Sequence, residues 1–138
     1  MALSQSRRRK IVKRNAGLWV DRANAVIVLL KDEDEEIKRI NSDDLNFPRS
    51  NVVADNIQQR METENLNRYY DDIISQVSDA KAVYIIGPGE AKGELKKRME
   101  RKNFNMKNVT VETADSMTEP QIVAKIRTKF PRKRMGIG

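Results

Sequence analysis

No cysteine and no histidine occur among the 138 residues. Their absence removes disulfides, thiol chemistry, the usual zinc sites and histidine acid–base catalysis. No apolar run approaches the roughly 20 residues that cross a bilayer. The basic N-terminus has no apolar stretch behind it, so it does not read as a secretory signal. No membrane contact is expected, and a cytoplasmic protein is. No cofactor fingerprint and no metal-ligand spacing is present, so neither a cofactor nor a metal is assigned. A chain of this length reads as one domain, able to bury roughly two-thirds of the surface its unfolded form exposes.

What the chain does have is charge, unevenly placed. The net charge is +7. Residues 1–14 hold six basic side chains (Arg7, Arg8, Arg9, Lys10, Lys13 and Arg14) and no acid, and residues 125–138 hold six more and no acid. The 15 basic and 20 acidic residues left between them give residues 15–124 a net charge of −5. Basic tails on a mildly acidic body fit contact with a polyanion, most often nucleic acid. RNA is therefore the expected partner, with Arg7, Arg8, Arg9, Lys10, Lys13 and Arg14 on one arm and Arg132, Lys133 and Arg134 on the other. The alternative is that the arms serve solubility alone.

Patterning divides the chain into a basic arm over 1–15, a body over 16–130 and a basic tail over 131–138. The body opens as a meander: strand Leu18–Val20, turn Asp21–Asn24, strand Ala25–Leu30, an acidic turn, and strand Glu36–Ile40. Val26, Val28 and Leu30 alternate with Ile27 and Leu29, which predicts a strand covered on both faces. Residues 41–56 are rich in Asn, Asp and Ser and carry Pro48; a loop of that length is expected to be functional or mobile. A long helix follows from Asp55 or Asn56. Ile57, Met61, Leu66, Tyr69, Tyr70, Ile73, Ile74 and Val77 fall at helical spacing, and its polar first half is expected to stand away from the body.

Two strand–loop–helix units complete the chain. The first is AVYIIGPGEAKGEL, with a strand over 82–86 and a helix from Glu90 to about Lys102 packed by Ala91, Leu95 and Met99. The second has a strand over Val109–Thr113 and a helix started by a capping box at Thr118 and Gln121. Met117 and Ile122 are placed as a hydrophobic staple, and Pro131 ends the helix. Tandem units of this kind predict parallel pairing, so the fold class is α/β: a mixed sheet, meander plus parallel βαβα units, flanked by helices. Ligands of such sheets gather at the carboxyl ends of the strands.

Three candidate chemistries follow from these residues. Gly87, Gly89 and Lys92 form a candidate anion-binding turn at a helix start. The turn matches neither GxGxxG nor a Walker A loop, and Glu90 opposes an anion there, so a structural turn with an acidic first helical turn is the competing reading. Asp21 and Asp115, with Asp71 and Asp72, are the carboxylates available to a metal-dependent nuclease or hydrolase of ribonuclease H type. Asp21 reads equally as a turn residue and Asp115 as a loop residue. Tyr69, Tyr70 and Trp19 are base-stacking candidates, though their spacing suits packing. No serine or threonine has a base partner, so no catalytic residue is assigned.

The order of GLWVDRANAVIVLL, a loop, a long helix through LNRYYDDI, YIIGPGEAKGEL and VETADSMTEPQI resembles the central domain of the archaeal and eukaryotic peptide-chain release factor and Pelota family. On this resemblance the chain looks like a stand-alone bacterial relative over about residues 16–130. The resemblance implies a translational-machinery-component fold. It also implies a role on the ribosome, in translation or ribosome rescue. The family's catalytic signature is a Gly-Gly-Gln tripeptide in the loop before the long helix, which promotes peptidyl-tRNA hydrolysis. Here that loop, 41–56, has no glycine, and neither Asn51 nor Gln58 has the flanking glycines the role needs. Pelota-like members also lack the tripeptide and do not hydrolyse the ester. The resemblance thus implies a non-catalytic, RNA- or ribosome-associated protein.

Overall fold

Residues 14–31, 34–42 and 55–131 are described in the structure, a computed structural model. The meander forms as β1 (Arg14–Val20), β2 (Asn24–Leu30) and β3 (Glu35–Asn41). The long helix α1 (Asp55–Gln76) leads to β4 (Ala80–Gly87), α2 (Ala91–Arg101), a single 3₁₀ turn at Met106–Asn108, β5 (Val109–Thr113) and α3 (Glu119–Lys129). The sheet order is β3-β2-β1-β4-β5. Pairing is antiparallel through β1, β2 and β3 and parallel through β1, β4 and β5. This is the mixed α/β sheet that the patterning predicts.

Period-2 alternation sends each strand's side chains to opposite faces. Leu18 stands in register with Ile27 on β2 and Ile85 on β4. All three are fully buried on the face covered by α1 and α2, with Tyr69, Ile73, Leu95 and Met99. The next residue, Trp19, is level with Val26 and Ile86 and lies on the other face, with Ile122 and Ile126 of α3. Two helices cover one face and one covers the other. Ile27 and Val28 bury on opposite faces, so β2 is covered on both sides as its sequence predicts.

β1 runs four residues further back than the expected Leu18, and Arg14 and Asn15 pair with Ala80 and Ala82. Ala16 and Gly17 are weak strand formers, but β1 is hydrogen-bonded on both sides, and pairing overrides that preference. Gly17 has a further reason to lack a side chain. A Cβ there would lie 2.6 Å from the Ile126 side chain, so glycine lets α3 settle onto the strand.

The helix ends follow local chemistry. Thr118 and Gln121 close the capping box reciprocally, at 3.3 and 2.9 Å. Met117 packs with Ile122 in one cluster, and α3 stops at Lys129, just before Phe130 and Pro131. In α2 the buried stripe is Ala91, Leu95 and Met99. That helix ends on Asn103 at φ 62°, with Asn103 N donating to Glu100 O and Phe104 N to Met99 O. This is a Schellman arrangement with asparagine in glycine's usual place. In α1 burial begins at Tyr69; none of the side chains from 59 to 64 is buried.

Candidate functional site

The carboxyl ends of β1, β4 and β5 lie together, because these strands are parallel. Four connections meet there: the Asp21–Asn24 turn, the Pro88–Glu90 turn, the 114–118 loop, and Ser42, whose N–H donates to Ala23 O at 2.8 Å. The Tyr69 hydroxyl donates to the Asp21 carbonyl at 2.8 Å, while α1 leaves through Val77 to Ala80 at the opposite end of the sheet. α1 therefore runs against the parallel strands. The part of the helix before Tyr69 starts at Asp55 and at about 1.5 Å per residue accounts for roughly 20 Å of its length. It points out past the carboxyl ends. Residues 43–54 connect Ser42 at this pole to that projecting end.

A polar network fastens α1 and α2 to the pole. Arg22, in the β1–β2 turn, makes a two-pronged contact with Glu94 of α2 and lies 3.6 Å from Glu90. The Tyr70 hydroxyl donates to Glu94 Oε1 at 2.6 Å. The hydrogen bond from Arg22 holds the Glu94 carboxyl below its usual range, with help from Tyr70. Burial raises the Tyr70 phenol, reinforced by the Glu94 hydrogen bond, and burial likewise raises Tyr69. Both hydroxyls therefore act as fixed donors. One turn deeper, Arg98 grips both oxygens of Asp71 at 2.7 and 2.9 Å and keeps that carboxyl below its usual range.

Beside this network a groove of about 300 Å³ separates α1 from α2. Leu66, Asn67 and Tyr70 line one side; Glu94, Lys97 and Arg101 line the other, with Arg22 at the wall.

The Gly87–Glu90 turn joins β4 to α2. Gly87 is dictated by space, since a Cβ there would meet the Val20 carbonyl oxygen at 2.2 Å. Gly89 has φ +63°, the left-handed region that favours glycine. The Lys92 ammonium donates to the Gly89 carbonyl, and Glu90 occupies the helix N-cap. The three expected anion-binding residues thus share one turn, with Lys92 turned onto its backbone.

Asp21 Oδ1 accepts from Ala23 N and Asn24 N at 2.8 and 2.7 Å, the geometry of an Asx turn. Asp115 enters through its carbonyl, which accepts from the Trp19 indole at 3.1 Å. Among the described residues no three acidic side chains gather where a metal could sit. Trp19, Tyr69 and Tyr70 are buried, as packing residues are. Arg14 is exposed at the start of β1. Arg7, Arg8, Arg9, Lys10, Lys13, Arg132, Lys133 and Arg134 lie outside the described residues, as does nearly all of the 41–56 loop. The Arg22–Glu94–Tyr70 network was not visible in the sequence, because Arg22 and Glu94 are 72 residues apart. The helical spacing of Lys97 and Arg101 is the only local signal of the groove.

A mixed five-stranded sheet, with two helices on one face and one on the other, defines a three-layer α/β domain. No protein-family model matches the chain, and no curated protein matches it. Solved structures do. Thermoplasma acidophilum Pelota aligns with a TM-score of 0.56 and 18% identity, covering 85% of this chain and 32% of Pelota. An archaeal translation termination factor, aRF1, aligns at 0.52 and 20%, covering 82% of this chain and 33% of its own. Dom34 of S. cerevisiae, a translation termination-like factor involved in RNA quality control pathways and interacting with Hbs1, aligns at 0.53 and 15% identity, covering 94% of this chain and 36% of Dom34. The chain spans about a third of the length of these proteins. Its fold is that of the release-factor and Pelota domain.

Proposed function

We propose that the chain is a non-catalytic, RNA- or ribosome-associated domain working in the cytoplasm, in translation or ribosome rescue. The body over 16–130 presents the 41–56 loop as a contact element, and the basic arms over 1–15 and 131–138 hold phosphate. The observation that carries this reading is the projection of α1 beyond the carboxyl ends of the strands. The shared fold supports it, as does the lack of glycine in the loop, which leaves no Gly-Gly-Gln tripeptide to promote ester hydrolysis. Charge-driven contact with RNA weakens steeply as salt rises. The test is co-sedimentation of the full chain with ribosomes at low and high salt. The expected result is a ribosome-bound fraction released by salt and largely lost when both arms are deleted. A chain that stays in the supernatant at low salt, or binds equally well without its arms, overturns the reading.

A further inference from the structure

The groove between α1 and α2 is lined by more cations than ion-paired carboxylates. Of its cations, Arg22 is matched by Glu94 and Glu90, and Arg98 by Asp71. Lys97 and Arg101 line the same groove and are exposed; neither forms a salt bridge among the described residues, and Lys97 acts on Glu94 only through space. They stand one helical turn apart, roughly 5–6 Å between their Cβ atoms, so the surplus charge runs along the groove. The groove leads to Arg22 at the pole where 43–54 departs. Asn67 adds a polar side chain opposite, and Leu66 is the one aliphatic residue in the lining.

We infer that this groove seats the sugar–phosphate backbone of single-stranded RNA, with Lys97 and Arg101 on its phosphates. The inference rests on the reading that the chain works on RNA, and adds a contact surface on the body that is separate from the arms. A linear polyanion satisfies both cations in turn and gains from counterion release. An amphipathic peptide helix needs a row of apolar anchors, and Leu66 alone does not supply one. Phosphate and sugar contacts need only cations and polar donors, so recognition here follows the backbone, not the base sequence.

The test is fluorescence anisotropy of a labelled oligouridylate with the full chain across a salt series. Lys97→Gln/Arg101→Gln is expected to bind about tenfold more weakly at moderate salt. Its slope of log affinity against log salt should be shallower by about 1.4, since each single-strand phosphate contact contributes roughly 0.7. Lys97→Arg/Arg101→Lys, which keeps the charge, should retain the slope. Lys81→Gln/Lys107→Gln removes two exposed cations elsewhere and should leave the slope in place. Equal losses in the groove and control variants, or an unchanged slope in the groove variant, overturn the inference. So does polyglutamate displacing the RNA and losing its own binding to the same two substitutions, which marks an acidic protein partner. Ribosome sedimentation of the same proteins separates the two readings. A wild type that misses ribosomes, while the groove variant shows the shallower oligouridylate slope, breaks only the ribosomal reading. A wild type that sediments with ribosomes while the groove variant keeps its slope breaks only the groove.

Discussion

The two faces of the sheet are sealed by different means. On the α1/α2 face, two helices bring Tyr69, Tyr70, Ile73, Ile74, Leu95 and Met99 down onto β1, β2 and β4, and the phenol groups of both tyrosines reach the rim and hydrogen-bond there. On the opposite face a single helix of 11 residues buries only Ile122 and Ile126, seated at the gap that Gly17 leaves. The first face therefore continues outward into ion pairs, a groove and a projecting helix. The second also carries ion pairs, Arg39 with Glu119 and Arg127 with Glu35, which tie α3 to β3, and the phenol of its buried Tyr84 is pushed up to about 12 by burial and by its hydrogen bond to Glu112. A face built on few anchors is fragile to any one of them. A face built on many tolerates loss.

This contrast orders a set of mutations. Ile126→Ala removes a fully buried anchor from the thinner face and should cost about 2–5 kcal/mol, read by urea denaturation; a cost as small as that of an exposed site would break the comparison. Gly17→Ala forces a methyl against Ile126 and should cost about 1–3 kcal/mol. The double variant Gly17→Ala/Ile126→Ala should cost clearly less than the two single costs added, because the smaller side chain vacates the space. Strict additivity would show that Gly17 does not seat α3 in this way. On the other face, Tyr70→Phe keeps the ring and deletes only the donor to Glu94, which Arg22 still satisfies, so the loss should be about 1 kcal/mol.

The Asp71–Arg98 pair predicts a pH effect of fixed sign. Asp71 is held below its usual carboxylate value in the folded state. Its contribution is therefore present above the unfolded value, about pH 4, and is lost as pH falls through the lower folded value. Melting temperature between pH 5 and 3 should fall more gently for Asp71→Asn than for the wild type. The smallest effect belongs to Arg39→Ala. Arg39 contacts Glu119 at the exposed N-terminus of α3, and such pairs contribute little in water. No measurable shift in melting temperature is expected, and a clear one would mean that this ion pair helps hold α3.

The sequence made much of this architecture legible. The stripe Ala91, Leu95 and Met99, the alternation in β2 and the capping box at Thr118 all depend on residues within a turn or two of each other, and each is found in the structure. The extra length of β1 was not legible, since Ala16 and Gly17 join a strand only because β2 and β4 flank them. Asp21 was open to two readings, metal ligand or turn residue, and its carboxylate caps its own turn. The groove was not read from the sequence. Lys97 and Arg101 could be placed on one side of a helix by their spacing, but what faces them could not.

Period, capping and turn chemistry act over a few residues, so the helices and strands, and the α/β class their order implies, were settled in the chain alone. Strand order, the assignment of two helices to one face and one to the other, the joining of Arg22 to Glu94 and Tyr70, and the opening between α1 and α2 were decided only by packing. Each depends on side chains far apart in the chain meeting across a sheet, and no local rule encodes which of them will meet.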